Sequence, residues 1–153
     1  MSNQLATGDP TPDFALQDQD GRTVRLRDLR GHTVVLYFYP KDDTGGCTTQ
    51  ACGFRDRIAE FDARAAIVLG VSPDSVASHG KFRVKYDLPF RLLADVDHTV
   101  AEAYGVWKEK TLYGRKYRGI ERTTFVIGGD GCIEHVLERV KPAAHTGQLL
   151  DLV

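Results

Sequence analysis

The chain alternates short, nearly continuous apolar runs with segments in which apolar residues recur at helical spacing. Residues from Thr33 to Tyr39 are almost all apolar, β-branched or aromatic, as in a strand that is covered on both faces, and Pro40 ends the run. Apolar side chains then recur three, four and three residues apart, at Ala51, Phe54, Ile58 and Phe61. This spacing predicts a helix, and the run from Ala66 to Val71 predicts a second buried strand.

The same alternation continues toward the C-terminus. The predicted elements are a capping segment from Ser72 to Ser75, a helix through Phe82, Val84 and Tyr86, a strand from Phe90 to Leu93, a helix from Asp97 to Tyr104, a strand from Thr123 to Ile127 with a partner from Cys132 to Leu137, and a brief helix within His145 to Val153. An Asp20-Gly21 turn predicts an N-terminal β-hairpin over residues 14–26. Together they predict an α/β fold with a central mixed β-sheet flanked by helices, in a single domain over residues 1–153.

Composition and charge exclude several classes of protein. The 153 residues include 20 Lys and Arg against 21 Asp and Glu, and 42% are hydrophobic, which excludes a disordered chain and leaves no basic excess for nucleic acid. The longest apolar run, Val34 to Tyr39, is far shorter than the roughly 20 residues that cross a bilayer, so no membrane association is expected. Residues 1–10 lack the basic start and apolar stretch of a signal peptide, so we expect a cytoplasmic protein.

The three cysteines, Cys47, Cys52 and Cys132, are too few and odd in number for the disulfide framework of a secreted protein. A close pair such as Cys47 and Cys52 instead suggests a metal-binding or catalytic role. Cys47 lies where a helix begins, after a buried strand and a polar loop. A helix N-terminus offers unpaired N–H donors and a partial positive charge, and both favour a thiolate over a thiol. Thr44 can place a hydroxyl beside the same sulfur, and Pro40 can wall the pocket without competing for hydrogen bonds.

The pattern Pro40-x-x-x-Thr44-x-x-Cys47, on the first turn after a central strand, resembles the active-site motif of the peroxiredoxins. Cys52, with residues 48–51 before it and residues 53–56 after it, narrows the resemblance to the Q-type peroxiredoxins, also called bacterioferritin comigratory proteins. The resemblance covers nearly the whole chain. Its other matching segments occur in order, at residues 8–14, 35–40, 71–74 and 122–127.

The resemblance implies a thioredoxin-like fold and a thiol-dependent peroxidase for hydrogen peroxide and organic hydroperoxides that needs no metal, haem or flavin cofactor. Cys47 would be the peroxidatic cysteine, which becomes a sulfenic acid, and Cys52 the resolving cysteine, which closes an intramolecular disulfide. Arg122 matches the distant arginine that approaches the peroxidatic sulfur, while Thr44 and Pro40 complete the pocket. Thioredoxin or a similar thiol reductant would reopen the disulfide, and the compact chain is expected to be a monomer.

Two features of the motif bear on the mechanism. Cysteines five residues apart on one helix have Cα atoms roughly 8.6 Å apart, whereas a disulfide normally needs less than about 7 Å. We therefore predict that the first turns of the helix unwind before Cys47 and Cys52 join. Relatives commonly have proline just before the peroxidatic cysteine, where this chain has Gly46 after Gly45. The two glycines either ease the unwinding or loosen the pocket.

Several of these residues also have simpler interpretations. Cys52 could pack on the inner face of its helix and leave a one-cysteine enzyme, Cys132 is interpreted as a small strand residue, and Arg122 could be a solvated arginine. Glu121 and Thr124 are candidates to hydrogen-bond the guanidinium of Arg122. The aromatic residues Tyr104, Trp107, Tyr113 and Tyr117 are interpreted as core and rim residues that border the peroxide entrance.

Two other functions would use the same cysteines. A thiol-disulfide oxidoreductase or redox sensor would pass the oxidation on to partner proteins, although the Cys-x-x-Cys motif that is usual for such oxidoreductases is absent. A zinc-supported binding module would need a distant histidine, because the five histidines show no paired metal-ligand spacing and only three cysteines are present.

Overall fold

The computed structural model describes residues 5–153. The first four residues, which are part of the segment in which we expect no signal peptide, lie outside the described residues. The strands are β1 (Ala15–Gln17), β2 (Thr23–Arg25), β3 (Thr33–Phe38), β4 (Ala66–Ser72), β5 (Arg91–Ala94), β6 (Trp107–Leu112), β7 (Arg115–Ile120), β8 (Thr123–Ile127) and β9 (Ile133–Leu137). The α-helices are α1 (Gly45–Asp56), α2 (Ile58–Ala63), α3 (Val76–Tyr86), α4 (Thr99–Ala103) and α5 (Pro142–Leu150). Within residues 5–153, no helix is long and apolar enough to cross a bilayer.

Seven strands form the main sheet in the order β2-β1-β5-β4-β3-β8-β9. Strand β4 pairs in parallel with β3 and with β5, whereas β8 pairs antiparallel with β3 and with β9. Parallel neighbours need a crossover connection, and α1 with α2 supplies it between β3 and β4. The predicted mixed sheet with an N-terminal hairpin, β1 paired with β2, is confirmed.

Strand β3 is buried on both faces, which explains its continuous apolar run. Its alternate residues enter two cores, Val34, Leu36 and Phe38 on one face and Val35, Tyr37 and Tyr39 on the other. The first core is shared with the N-terminal hairpin and α4, and the second with α1, α2, α3 and α5. Because β3 is fixed on both sides, the loop that follows it starts from a rigid position.

The helix predicted through Phe61 is divided in two, and the prediction of one continuous helix was wrong. Between α1 and α2, Arg57 has φ −122° and ψ 18°, outside the helical range. Phe54 and Phe61 are nevertheless both buried, so the apolar spacing survives the break.

In α3 the buried face runs through His79 and Phe82. Val84, which was counted among the apolar positions of that helix, is 83% exposed.

A second sheet, formed by β6 and β7 alone, was not predicted. The two strands pair antiparallel around a turn at Tyr113 and Gly114, both of which have positive φ. Most side chains of this hairpin are exposed and many are charged, so it lacks the alternation of apolar residues that marks a strand. Tyr113 at its tip is 96% exposed, whereas Tyr104 is buried and donates to Pro12 O at 2.6 Å.

Candidate active site

Cys47 is the third residue of α1, directly after the loop that follows β3. Thr44 is the N-cap, with extended backbone, and Thr48 N donates to Thr44 O at 2.8 Å. The first amide groups of a helix have no partner inside the helix, and this first turn holds no acidic residue. A negative charge on the sulfur is therefore favoured by the helix end and is opposed by no carboxylate of that turn.

Arg122 is the charged partner of the Cys47 sulfur. It immediately precedes β8, whose antiparallel pairing with β3 sets Thr123 opposite Phe38. This register brings Arg122 to the sheet edge where α1 begins, although 75 residues separate it from Cys47. Its Nη2 donates to Cys47 Sγ at 3.3 Å. Cys47 is only 1% exposed, so water screens this charge-assisted contact weakly.

A buried glutamine, which the sequence reasoning missed, holds the guanidinium. Arg122 Nη1 donates to Gln50 Oε1 at 2.5 Å, and Gln50 Nε2 lies 3.0 Å from His145 Nδ1. Gln50 follows Cys47 by three residues, so the two side chains share one face of α1. That spacing is the sequence signal that could have identified Gln50.

The two residues that were expected to support Arg122 are engaged elsewhere. Glu121 pairs with Lys108 and with Arg139, the latter at 2.8 Å, and the hydrogen bond from Lys108 is the main cause that lowers the pKa of Glu121. Thr124 lies in β8, and its buried hydroxyl has no hydrogen-bond partner among residues 5–153. The expectation failed because it considered only neighbours of Arg122 in sequence, whereas the partner comes from α1.

Thr44 and Pro40 flank the start of α1. The Thr44 hydroxyl donates to Lys41 O at 2.9 Å, so its oxygen keeps lone pairs with which to accept an incoming O–H. The Thr44 side chain is exposed, and Pro40 is half-buried two residues after the end of β3. Because its hydrogen is directed to Lys41 O, the Thr44 hydroxyl is better placed to orient an incoming oxygen than to donate to the Cys47 sulfur.

Gly46, the departure from the family motif, lies against the guanidinium. A Cβ at this position would lie 3.2 Å from Arg122 Nη2 and 3.4 Å from Pro142 Cγ. A side chain would therefore press on the arginine and on the start of α5. The glycine leaves room for Arg122, an effect separate from the flexibility that it gives the loop.

The other two cysteines are also free thiols, in different places. Cys52 is half-buried on α1, and helix geometry turns it by about 140° away from Cys47. Cys132 follows the turn after β8, at the end of the sheet opposite Arg122. Cys52 therefore shares a helix with Cys47, and Cys132 lies far from both.

A buried polar cluster anchors the loop between β3 and α1. Asp42 of this loop is 8% exposed and accepts a hydrogen bond from Tyr39 Oη at 2.6 Å. His79, fully buried in α3, places Nδ1 2.7 Å from the Asp42 carboxylate and Nε2 2.9 Å from Leu93 O. Because a carbonyl only accepts, Nε2 donates to Leu93 O, and the His79 ring therefore joins the Asp42 carboxylate to β5.

The same cluster is the one group of three potential metal ligands found within residues 5–153, made of Asp42, Asp74 and His79. Its atoms already bond to each other and to neighbours, since Asp74 Oδ2 accepts from Asp42 N at 2.8 Å and from Ser72 Oγ at 2.6 Å. The group contains none of the cysteines on which the zinc interpretation depends.

Removing one partner of this cluster should destabilise the fold. We expect His79→Leu to lower the free energy of unfolding by about 3 kcal/mol, because the buried Asp42 carboxylate and Leu93 carbonyl both lose a donor. Urea unfolding followed by circular dichroism measures this loss. The matched control is His32→Leu at an exposed position, where we expect a change within about 0.5 kcal/mol. Equal unfolding midpoints for His79→Leu and the wild type would contradict the anchoring role.

Two further titratable side chains border the site. Burial raises the pKa of Tyr37 well above its usual value, and the neighbouring Cys47 raises it further, so Tyr37 is a neutral phenol beneath α1. Burial also lowers the pKa of Lys110, and the nearby charge of Arg122 adds to that effect. The effect of Arg122 shows that Lys110, on β6, lies close enough to the guanidinium for the two positive charges to repel each other.

Known proteins resemble this chain in sequence and in fold. The AhpC/TSA family pattern matches residues 7–136. Peroxiredoxin Bcp of Bacillus subtilis strain 168 is 48% identical over 147 residues, which cover 96% of this chain and 94% of that protein. Peroxiredoxin Bcp of Escherichia coli K12 is 46% identical over 149 residues, with 97% and 96% covered. A solved bacterioferritin comigratory protein of Xanthomonas campestris, studied for alkyl peroxide reduction, matches with a TM-score of 0.87 at 40% identity, covering 91% of this chain and 88% of that one.

The likeness extends through the parts that build the site. Residues 7–136 include β3, the whole of α1 with Cys47, and Arg122 before β8. The curated relatives are covered almost from end to end, and the structural match confirms the thioredoxin-like fold. With its central strands, its cysteine helix and its arginine all inside one continuous match, the chain belongs to the AhpC/TSA family, as a peroxidase of the peroxiredoxin Bcp group.

Proposed function

We propose that Cys47 is the residue that reduces peroxides. The observation that carries this proposal is the 3.3 Å contact between Arg122 Nη2 and the buried Cys47 Sγ at the start of α1. In the first step the Cys47 thiolate attacks one oxygen of the peroxide and the O–O bond breaks. The sulfur loses two electrons and becomes a sulfenic acid, while the other oxygen takes a proton and leaves as water or an alcohol.

Arg122, Thr44 and Pro40 prepare this step. Negative charge moves from the sulfur to the departing oxygen, and the guanidinium beside the buried sulfur stabilises that charge. The Thr44 oxygen, whose own hydrogen is given to Lys41 O, accepts the O–H of the hydroperoxide. Pro40 has no N–H and walls the pocket without competing for these bonds.

Cys52 completes the oxidative half of the cycle. Its thiolate attacks the sulfenic sulfur of Cys47, an S–S bond forms, and the hydroxyl oxygen leaves as water after protonation. Both residues lie in α1, where helix geometry keeps their Cα atoms roughly 8.6 Å apart, beyond the limit of about 7 Å for a disulfide. The first turns of α1 must therefore unwind before this bond closes.

The substrates we propose are hydrogen peroxide and organic hydroperoxides, and the related Xanthomonas campestris protein supports the second class. A dithiol protein such as thioredoxin would reopen the disulfide with two electrons and two protons. One copy of the chain contains every residue of the cycle, which supports a monomer. A reducing compartment such as the cytoplasm suits a cycle that depends on thiol reductants.

The resolving role of Cys52 can be tested by peptide mass spectrometry after one equivalent of hydrogen peroxide, with free thiols blocked. We expect the wild type to lose two hydrogens and to show a Cys47–Cys52 linkage, and Cys52→Ser to stop at an oxygen added to Cys47. Turnover of Cys52→Ser with thioredoxin should fall on the order of tenfold or more, because an external thiol replaces an intramolecular one. Cys132→Ser is the matched control and should behave as the wild type.

Other outcomes would contradict parts of this proposal. Oxygen on Cys47 without a linkage in the wild type would indicate a one-cysteine mechanism. An unmodified Cys47 would contradict the peroxidatic assignment itself.

A further inference from the structure

We propose that His145 is a positioning residue that acts through Gln50 to keep α1 in its folded, peroxide-reactive form and so limits how fast Cys52 reaches Cys47. The inference rests on the proposed function, because it concerns the cycle of these two cysteines. His145 is fully buried in α5, beyond the residues 7–136 that match the family pattern.

Hydrogen-bond polarity fixes the state of each member of this network. A guanidinium only donates, so Gln50 must present Oε1 to Arg122 and Nε2 to His145. Gln50 Nε2 also only donates, so His145 Nδ1 must accept, which makes the imidazole neutral with its proton on Nε2. Burial first, and the charge of Arg122 second, lower the pKa of His145 to about 4, in agreement with a neutral ring.

Gln50 lies between the two cysteines, in the segment that must unwind. It is fully buried, and its amide oxygen and nitrogen meet Arg122 and His145 only while α1 is helical. Unwinding withdraws Gln50 from both partners at once and leaves buried polar groups without hydrogen bonds, which costs free energy. The network therefore resists the movement that resolution by Cys52 requires.

Close packing of α5 on α1 holds His145 in place. A Cβ on Gly53 would lie only 2.6 Å from Thr146 Oγ1, so the glycine is what allows the two helices to approach. The ring of Phe54 meets the His145 ring edge to face, with centroids 5.3 Å apart. Thr146 is buried beside His145, but its hydroxyl has no hydrogen-bond partner in the described part of the chain. Thr146 is therefore packed between the same two helices as His145, but among the described residues it makes no hydrogen bond like the one between His145 and Gln50.

The network has opposite effects on the two steps. By holding Gln50, His145 keeps Arg122 aligned on the Cys47 sulfur and favours the first step. By opposing unwinding, it prolongs the life of the sulfenic acid. A second peroxide can then transfer one oxygen to the Cys47 sulfur as its O–O bond breaks. The sulfenic acid becomes a sulfinic acid, and the other oxygen leaves as water or an alcohol. Loss of the His145 acceptor should slow sulfenic acid formation, speed disulfide formation and reduce sulfinic acid.

The test compares His145→Leu, His145→Asn and Thr146→Val in the full chain. Rapid mixing with hydrogen peroxide, quenching with a thiol-alkylating reagent and mass spectrometry give separate rates for the sulfenic acid and the disulfide. For His145→Leu we expect disulfide formation about fivefold to tenfold faster and sulfenic acid formation slower by a similar factor. His145→Asn, whose amide oxygen can accept from Gln50, should return both rates toward the wild type. Thr146→Val should keep both within about twofold.

Equal rates in His145→Leu and the wild type would overturn the proposal. So would an equal change in Thr146→Val, because loosened packing would then explain the effect. If His145→Leu does not fold, Gln50→Met decides instead, and unchanged disulfide formation in that variant would overturn the proposal. A wild type that forms no Cys47–Cys52 disulfide would contradict the proposed function rather than the role of His145.

Discussion

Cys47→Ser is expected to lose peroxidase activity, with peroxide consumption falling on the order of a thousandfold or more, as when other covalent enzymes lose their nucleophile. A serine hydroxyl stays protonated near neutral pH and cannot form a sulfenic acid. Serine differs from cysteine by one atom, and Arg122 Nη2, 3.3 Å from the sulfur, can donate to its oxygen. The loss should therefore be chemical rather than structural.

Loss of hydrogen peroxide in the presence of excess thiol reductant measures this effect. Cys132→Ser is the matched control, because it makes the same substitution at the opposite end of the sheet, and it should keep wild-type turnover. Far-ultraviolet circular dichroism of both variants verifies that they fold. Normal turnover by Cys47→Ser would show that another group reduces peroxide and would refute the site assignment.

Arg122→Met is expected to slow the oxidation of Cys47 about a hundredfold, the usual effect of removing one donor that stabilises developing charge. Methionine fills much of the same space, but it donates to neither Cys47 nor Gln50, both of which receive hydrogen bonds from the guanidinium. The rate of sulfenic acid formation should be measured in a Cys52→Ser background, where only the first step contributes.

Lys110→Met is the matched control for Arg122→Met. Lys110 is a second, half-buried cation near the guanidinium, on β6. We expect its loss to change the rate by less than about threefold, because a general positive field contributes less than a directed donor. Equal losses in the two variants would show that net charge, and not the contact with the sulfur, accelerates the reaction.

The centre of the main sheet could be predicted because β3, β4 and β8 are nearly continuous runs of apolar or β-branched residues that are buried on both faces. Strand β3 and its neighbours carry continuous apolar runs, and turns rich in glycine and aspartate mark their ends. The hairpin of β6 and β7 carries no such pattern, because most of its side chains face solvent. The exposure of Val84 has a similar cause, since one apolar residue at helical spacing does not establish which face of α3 is buried.

The sequence indicated the candidate reacting residues, but it did not indicate the residues that contact and hold them in the structure. The motif around Cys47 is local, and the resemblance supplied Arg122 from a distant position. Gln50 and His145, by contrast, are 95 residues apart and meet only because α5 packs on α1. Their contact depends on helix docking, which no short segment of sequence encodes.

Because the backbone leaves the helical range at Arg57, we expect α1 and α2 to open as two separate cooperative units. Because α1 ends before the break, it can open from its N-terminus without pulling on α2, which is fixed to the sheet by the buried Phe61. Amide hydrogen exchange in α1 would then report local opening, while that in α2 would follow global unfolding. In the proposed cycle, the helix that carries both cysteines would then rearrange in every turnover while the core beneath it stays intact.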